Sequence, residues 1–194
     1  MVFGEDAKLT AYFFTTYPEA NRILQLAKNS GGDTWNEARI STVPLDFAMT
    51  LETKSTKGSY FVVSPADEDL EEATTIQPNF EDLDEGRNIP LFYFANFRKN
   101  DTFPMYFRKN ELLDAWKKEH PDLPFPKVRV TEFVDVLTDM LSSGSEKKTS
   151  GLGKKELLIV EFECPVDSLE YARQCELDGK GKEAFKIGER IVVL

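Results

Sequence analysis

The sequence predicts an α/β (α+β) fold: a single domain spanning residues 1–194, built from two pseudo-twofold related strand-helix repeats around a central mixed sheet with flanking helices. Three observations carry this expectation. The stretch from Ile89 to Met140 passes through two apolar strand-like runs, a helix pattern, a third strand and a second helix, each with its own stop signal. The stretch from Leu9 to Leu51 repeats that order with different residues. A composition of 41% apolar and 30% charged residues is that of an ordinary globule with enough chain to bury a sizeable core.

In chain order, Ala11-Tyr12-Phe13-Phe14 reads as a strand, and Pro18-Glu19-Ala20 opens a helix carrying Ile23, Leu24 and Ala27 that Gly31-Gly32 breaks. Arg39 to Val43 reads as the next strand, and Leu45, Ala48, Met49 and Leu51 as the next helix. Ser59 to Val63 is a third strand, after which Ser64-Pro65-Ala66-Asp67 starts a helix with Leu70 and Ala73 on its apolar side. Gln77 to Arg87 contains Pro78, an acidic run and Gly86, so the boundary between the repeats, 1–86 and 87–194, is expected there.

Ile89 to Phe97 is rich in the aromatics that favour strands and ends at Arg98-Lys99-Asn100-Asp101, a polar connection suited to a hairpin. Phe103 to Phe107 is the returning strand. Asn110 is expected to cap the following helix, whose stripe of Leu112, Leu113, Ala115 and Trp116 runs until Pro121 stops it. Lys127 to Thr131 is a strand, and Thr131 is the expected cap of a helix with Phe133, Val134, Leu137, Met140 and Leu141 at helical spacing. Ser142 to Lys155 has linker composition. Leu157 to Phe162 then matches the third strand of the first repeat, with Cys164-Pro165-Val166-Asp167 at the helix start. The first repeat lacks a counterpart to Ile89–Phe97, so the strand-like tail from Lys186 to Leu194 is expected to pair near it and cover its vacant edge.

A formal charge of −10 with acidic runs at Asp67-Glu68-Asp69 and Glu81 to Glu85 argues against nucleic acid, which needs basic clusters. Lys117-Lys118 and Lys147-Lys148 read as solvated surface. No run approaches the roughly 18 apolar residues of a membrane span. Met1-Val2-Phe3-Gly4 has the character of neither a signal peptide nor a transit peptide. Cys164 and Cys175 fit neither a redox pair nor a zinc site and read as structural thiols, and the single histidine, His120, reads as a helix C-terminal residue. Glu161 and Glu163 alternate with apolar neighbours and read as solvent-facing. Gly151-Leu152-Gly153-Lys154-Lys155 lacks the strand and the ending of a phosphate loop. No set of nucleophile, base and oxyanion donors is legible, so the reading is non-enzymatic, with no catalytic, cofactor-binding or metal residues and no cofactor.

The order of five apolar motifs carries a resemblance: Val43-Pro44-Leu45-Asp46-Phe47-Ala48, Tyr60 to Pro65 (YFVVSP), Ile89 to Phe94 (IPLFYF), Met105 to Trp116 (MYFRKNELLDAW) and Val128 to Met140 (VRVTEFVDVLTDM). Taken together they resemble the small soluble Tic subunit of the chloroplast import machinery. The resemblance covers nearly the whole chain, with departures at Arg108, where the family commonly has serine, and in the tail from Cys175 to Leu194. It implies a two-winged body and a chaperone-like role in binding precursor proteins in the intermembrane space of a plastid. The implied partners are precursors and translocon subunits, with at most peripheral membrane association, as a monomer or weak dimer, and a targeting leader already removed. The alternative is a soluble protein-protein interaction module of other purpose, or a periplasmic-type chaperone for outer-membrane proteins.

The expected partner-binding residues are Leu91, Phe92, Phe94, Met105 and Phe107. Strand Ile89–Phe97 places Leu91, Tyr93 and Phe97 on one face and Pro90, Phe92 and Phe94 on the other, which leaves no polar side. A central strand covered on both faces explains this. An apolar pocket left open on one face explains it as well, and the resemblance implies such pockets.

Overall fold

The computed structural model describes residues 9–30, 35, 38–53, 59–80, 88–141, 150–177 and 190–193. The fold is mixed α and β, as expected, and its described strands form two four-stranded sheets. The chain divides into two compact units, one made of Met1–Ala66 and Val166–Leu194, the other of Asp67–Pro165.

The first unit holds β1 (Leu9–Phe14), α1 (Tyr17–Ser30), β2 (Arg39–Thr42), α2 (Leu45–Thr53), β3 (Ser59–Ser64), α7 (Val166–Leu177) and β8 (Arg190–Val193). Its sheet has the order β2-β8-β1-β3 with every pair parallel. β1 and β3 are in register along their whole length, from Leu9 opposite Ser59 to Phe14 opposite Ser64. The Tyr17 ring stacks on Tyr171 at 4.1 Å, the Tyr171 hydroxyl donates to the Ile40 carbonyl at 3.1 Å, and Ser168 Oγ accepts the Tyr17 N–H at 3.0 Å. These contacts fasten α7 to α1 and β2. Phe14, Ala20, Leu24 and Ile40 are the buried centre beside them.

The second unit holds α3 (Asp67–Ile76), β4 (Pro90–Tyr93), β5 (Phe103–Tyr106), α4 (Lys109–Glu119), β6 (Arg129–Glu132), α5 (Phe133–Leu141), α6 (Lys154–Leu157) and β7 (Val160–Glu163). Its sheet has the order β6-β4-β5-β7, in which β4 is antiparallel to both neighbours and β5 is parallel to β7. Ala73 of α3 and Leu112 and Trp116 of α4 pack with Phe92, Tyr106 and Val130 of the sheet. Lys109 Nζ joins Glu72 at 2.9 Å and ties the two helices. Helix α3 therefore precedes the expected boundary at Gln77–Arg87 in sequence yet belongs to the second unit, and α7 belongs to the first.

Several local expectations are corrected. β4 ends at Tyr93 instead of Phe97, because the Phe97 N–H turns back to the Phe94 carbonyl at 3.1 Å and brings both rings against Trp116. Arg108, not Asn110, is the N-cap of α4; Asn110 Oδ1 accepts only the neighbouring Glu111 N–H. The residue capping α5 is Glu132, whose Oε2 accepts the Asp135 N–H at 2.8 Å, while the Thr131 hydroxyl donates instead to the Ser150 carbonyl. Composition predicts linker from Ser142 to Lys155, but in its described part Ser150 and Leu152 are buried and Lys154–Leu157 is helical, so β7 starts at Val160 instead of Leu157. Residues 142–149 lie outside the described residues.

The hairpin forms where expected. Lys99 and Thr102 exchange backbone hydrogen bonds, and Asn100 and Asp101 between them have φ of 49° and 66°. Two successive left-handed residues make a turn whose twist matches the flanking strands. His120 is the C-cap of α4, its N–H donating to the Trp116 carbonyl at 2.8 Å. The tail pairs with the first unit, but inside its sheet and not at an edge: Arg190–Val193 form β8 between β2 and β1, as β4 lies between β6 and β5, and residues 186–189 and 194 lie outside the described residues.

Candidate functional site

The β4–β5 pair places all five expected partner-binding residues in the interior of the second unit. Leu91, Phe92, Phe94 and Met105 are 0% exposed and Phe107 is 6% exposed. Alternation explains why both faces are apolar. Phe92 lies opposite Tyr106 and Val130, and all three join the cluster under α3 and α4. Met105 lies opposite Phe162 on the other face, where Phe133 of α5 packs on Phe107 at 5.7 Å and on Phe162 at 5.0 Å between ring centres. The strand pair is thus covered on both faces, and the five side chains are not an open pocket.

Large apolar side chains do reach solvent elsewhere in this unit. Leu141 at the end of α5 and Leu158 after α6 are 83% and 84% exposed, and Leu123 and Phe125 stand out from the loop before β6. Single exposed apolar residues are common on globular surfaces, so these define no site by themselves.

Two acids that the sequence pattern does not reveal have strongly perturbed carboxyl groups. Asp67-Glu68-Asp69 reads as a surface run, and Asp67 and Glu68 are indeed exposed, but Asp69 is 2% exposed and its Oδ2 has no hydrogen-bond partner. Burial pushes its carboxyl up to about 7 against the opposing pull of the Arg108 guanidinium, and the nearby Glu68, Glu72 and Glu111 add to the rise. Glu132 is also raised to about 7 by burial, although the Asp135 and Ile89 N–H groups that it accepts favour its charged form. One turn of α3 presents Asp69 inward and its neighbours outward, and that rotation was legible only from which face Ala73 buries.

The remaining chemical candidates stay dispersed. Glu161 accepts from the Thr102 hydroxyl at 2.7 Å and Glu163 pairs with Lys99 at 2.6 Å, so both serve to hold β7 beside the hairpin. Cys164 is exposed, Cys175 is partly buried, and neither forms a disulfide. Among the described residues there is no cluster of three His, Cys, Asp or Glu side chains able to hold a metal ion, and no helix is long and apolar enough to cross a membrane.

The two sheets with their helices define a Tic22-like α+β fold. Tic22 from Plasmodium falciparum shares it with a TM-score of 0.61 and 16% identity, over 92% of this chain and 88% of that one. Tic22 from Anabaena, a protein-transport protein by its description, shares it with a TM-score of 0.55 and 15% identity, over 90% of this chain and 84% of that one. No family model and no curated protein matches the sequence. At such identities the likeness is one of fold.

Proposed function

We propose that the protein is a non-enzymatic component of protein import across a plastid envelope, where it binds precursor chains in the intermembrane space as a chaperone-like factor. The observation that carries this reading is the Tic22-like fold, shared over about nine-tenths of the chain with a protein described as serving protein transport. Fold alone does not dictate function, so the reading also leans on the order of the five apolar motifs from Val43 to Met140. An acidic surface and a sheet stocked with aromatics suit a factor that holds other polypeptides.

In the closed second unit Leu91, Phe92, Phe94, Met105 and Phe107 are core, so a precursor contacts them only when that unit opens. We read residues 1–86 and 87–194 as diverged copies of one ancestral repeat within a single domain. The experiment is co-fractionation with plastid envelopes followed by crosslinking during arrested import. Recovery in the envelope fraction with a precursor adduct is expected, and a protein absent from envelopes and uncrosslinked would overturn the proposal.

A further inference from the structure

The tail strand β8 fills a gap that the rest of the first unit leaves open. β2 and β1 are joined only through it among the described residues: Arg39 to Thr42 pair with Arg190 to Val193 on one side, and Phe13 and Phe14 pair with Val192 and Val193 on the other. Without β8 two rows of backbone N–H and C=O groups would face each other across an empty strand position, and unpaired backbone of this kind is a template for another extended chain. In the second unit the same position is held by β4, which the chain enters and leaves within that unit. The occupant here is the strand that follows α7 in the same unit.

β8 also fills the gap incompletely. It is in register with β2 at four positions but with β1 at only two, although β1 pairs with β3 at all six of its residues. Continuing the β1 register would set Tyr12 opposite Ile191 and Ala11 opposite Arg190, and neither pair forms. β8 therefore follows β2 and diverges from β1 toward its own start. A longer extended segment lying midway between the two would gain ladder positions along β1 that β8 does not make.

We infer that the gap between β1 and β2 is a strand-acceptor site, which β8 fills in the resting chain and which an extended, β-branched segment of a client polypeptide takes in its place. The inference rests on the precursor-binding reading above and specifies its ligand. The present occupant is Arg190-Ile191-Val192-Val193, three of whose four residues are β-branched. Strand addition draws affinity from the main-chain ladder and only preference from side chains, which suits a factor serving varied clients. Because β8 belongs to the same chain as the gap, it competes intramolecularly, so short weak segments are held off and longer ladders win. The resting strand meanwhile keeps the site from pairing indiscriminately.

The test uses the full chain, a variant carrying Ile191→Pro and Val192→Pro, and a fluorescent peptide of the tail sequence Glu189 to Leu194. Proline removes ladder donors from β8 and releases it. Fluorescence anisotropy should show the variant binding the peptide at least about tenfold tighter than the full chain, as expected when a tethered competitor is lost. A peptide with the same two prolines should bind neither protein. Hydrogen exchange at Arg39 to Thr42 should be faster in the variant and slow again on adding the unmodified peptide. A folded variant that binds no tighter than the full chain overturns the inference, and so does a variant that fails to fold, because β8 is then a fixed part of the sheet. Precursor crosslinking on the same two proteins separates the readings: a peptide gain without precursor adducts leaves the acceptor site and removes the import role, whereas adducts without a peptide gain do the reverse.

Discussion

Asp139 Oδ2 accepts two hydrogen bonds from Ser150, one from its backbone N–H at 2.9 Å and one from its hydroxyl at 2.6 Å. Both residues are buried, and the Ser150 carbonyl in turn accepts the Thr131 hydroxyl. One carboxylate thus ties the end of α5 to the chain that returns toward α6 and β7.

Asp139→Ala leaves two buried donors without an acceptor and is expected to cost ~3 kcal/mol, as removal of a buried charged acceptor does. Ser150→Ala keeps the backbone bond and should cost about 1 kcal/mol. Urea unfolding of both variants checks the ratio; equal losses would show that the backbone bond contributes nothing.

Stability should rise as the pH falls from about 8 to about 5. Asp69 and Glu132 have ordinary values of 3.8 and 4.5 and are each raised to about 7 by burial, so the folded protein takes up protons that the unfolded chain still lacks in this window. Their contribution is fully present below the ordinary values and is lost as pH rises through about 7. Asp69→Asn removes the larger part, on the order of a few kcal/mol, because each tenfold change in proton affinity corresponds to about 1.4 kcal/mol. Melting midpoints at pH 5 and pH 8 should lie closer together in that variant than in the parent, with the variant the more stable at pH 8.

Phe92→Ser and Phe94→Ser should each destabilise the second unit by ~3 kcal/mol or more. Both rings are fully buried, and truncation leaves a cavity lined by Tyr106, Val130 and Trp116. A thermal melt unchanged from the parent would mean that these rings lie outside the core.

Asp101→Val should weaken the hairpin by about 1–2 kcal/mol, because a β-branched side chain resists the left-handed backbone that Asp101 holds at φ 66°. Asp101→Gly keeps the turn and should leave the melting midpoint within a few degrees of the parent. Parallel melts of the two variants distinguish backbone strain from loss of the carboxylate.

What the sequence determined by itself is local. Aromatic runs marked β1, β3, β4 and β5, helical spacing marked α1, α4 and α5, and Asn100-Asp101 marked the hairpin, because hydrophobic period and turn chemistry act over a few residues. The order of apolar motifs also pointed to a Tic22-like fold, which the solved structures share. Tertiary structure decided the rest. Only packing could place α3 with the second unit and α7 with the first, since each helix buries a stripe that any suitable sheet accepts. Only packing could turn Asp69 inward while Asp67 and Glu68 stay in solvent, make Glu132 the cap in place of Thr131, and order Ser150 through Asp139. The five apolar residues in and just after β4 and β5 show the limit most clearly: alternation gives them two apolar faces, but whether a face is a pocket or a core depends on whether helices lie over it, and that is a long-range fact. Here α3 and α4 lie over Phe92 and Phe94, and the aromatic group around Phe133 covers the other face.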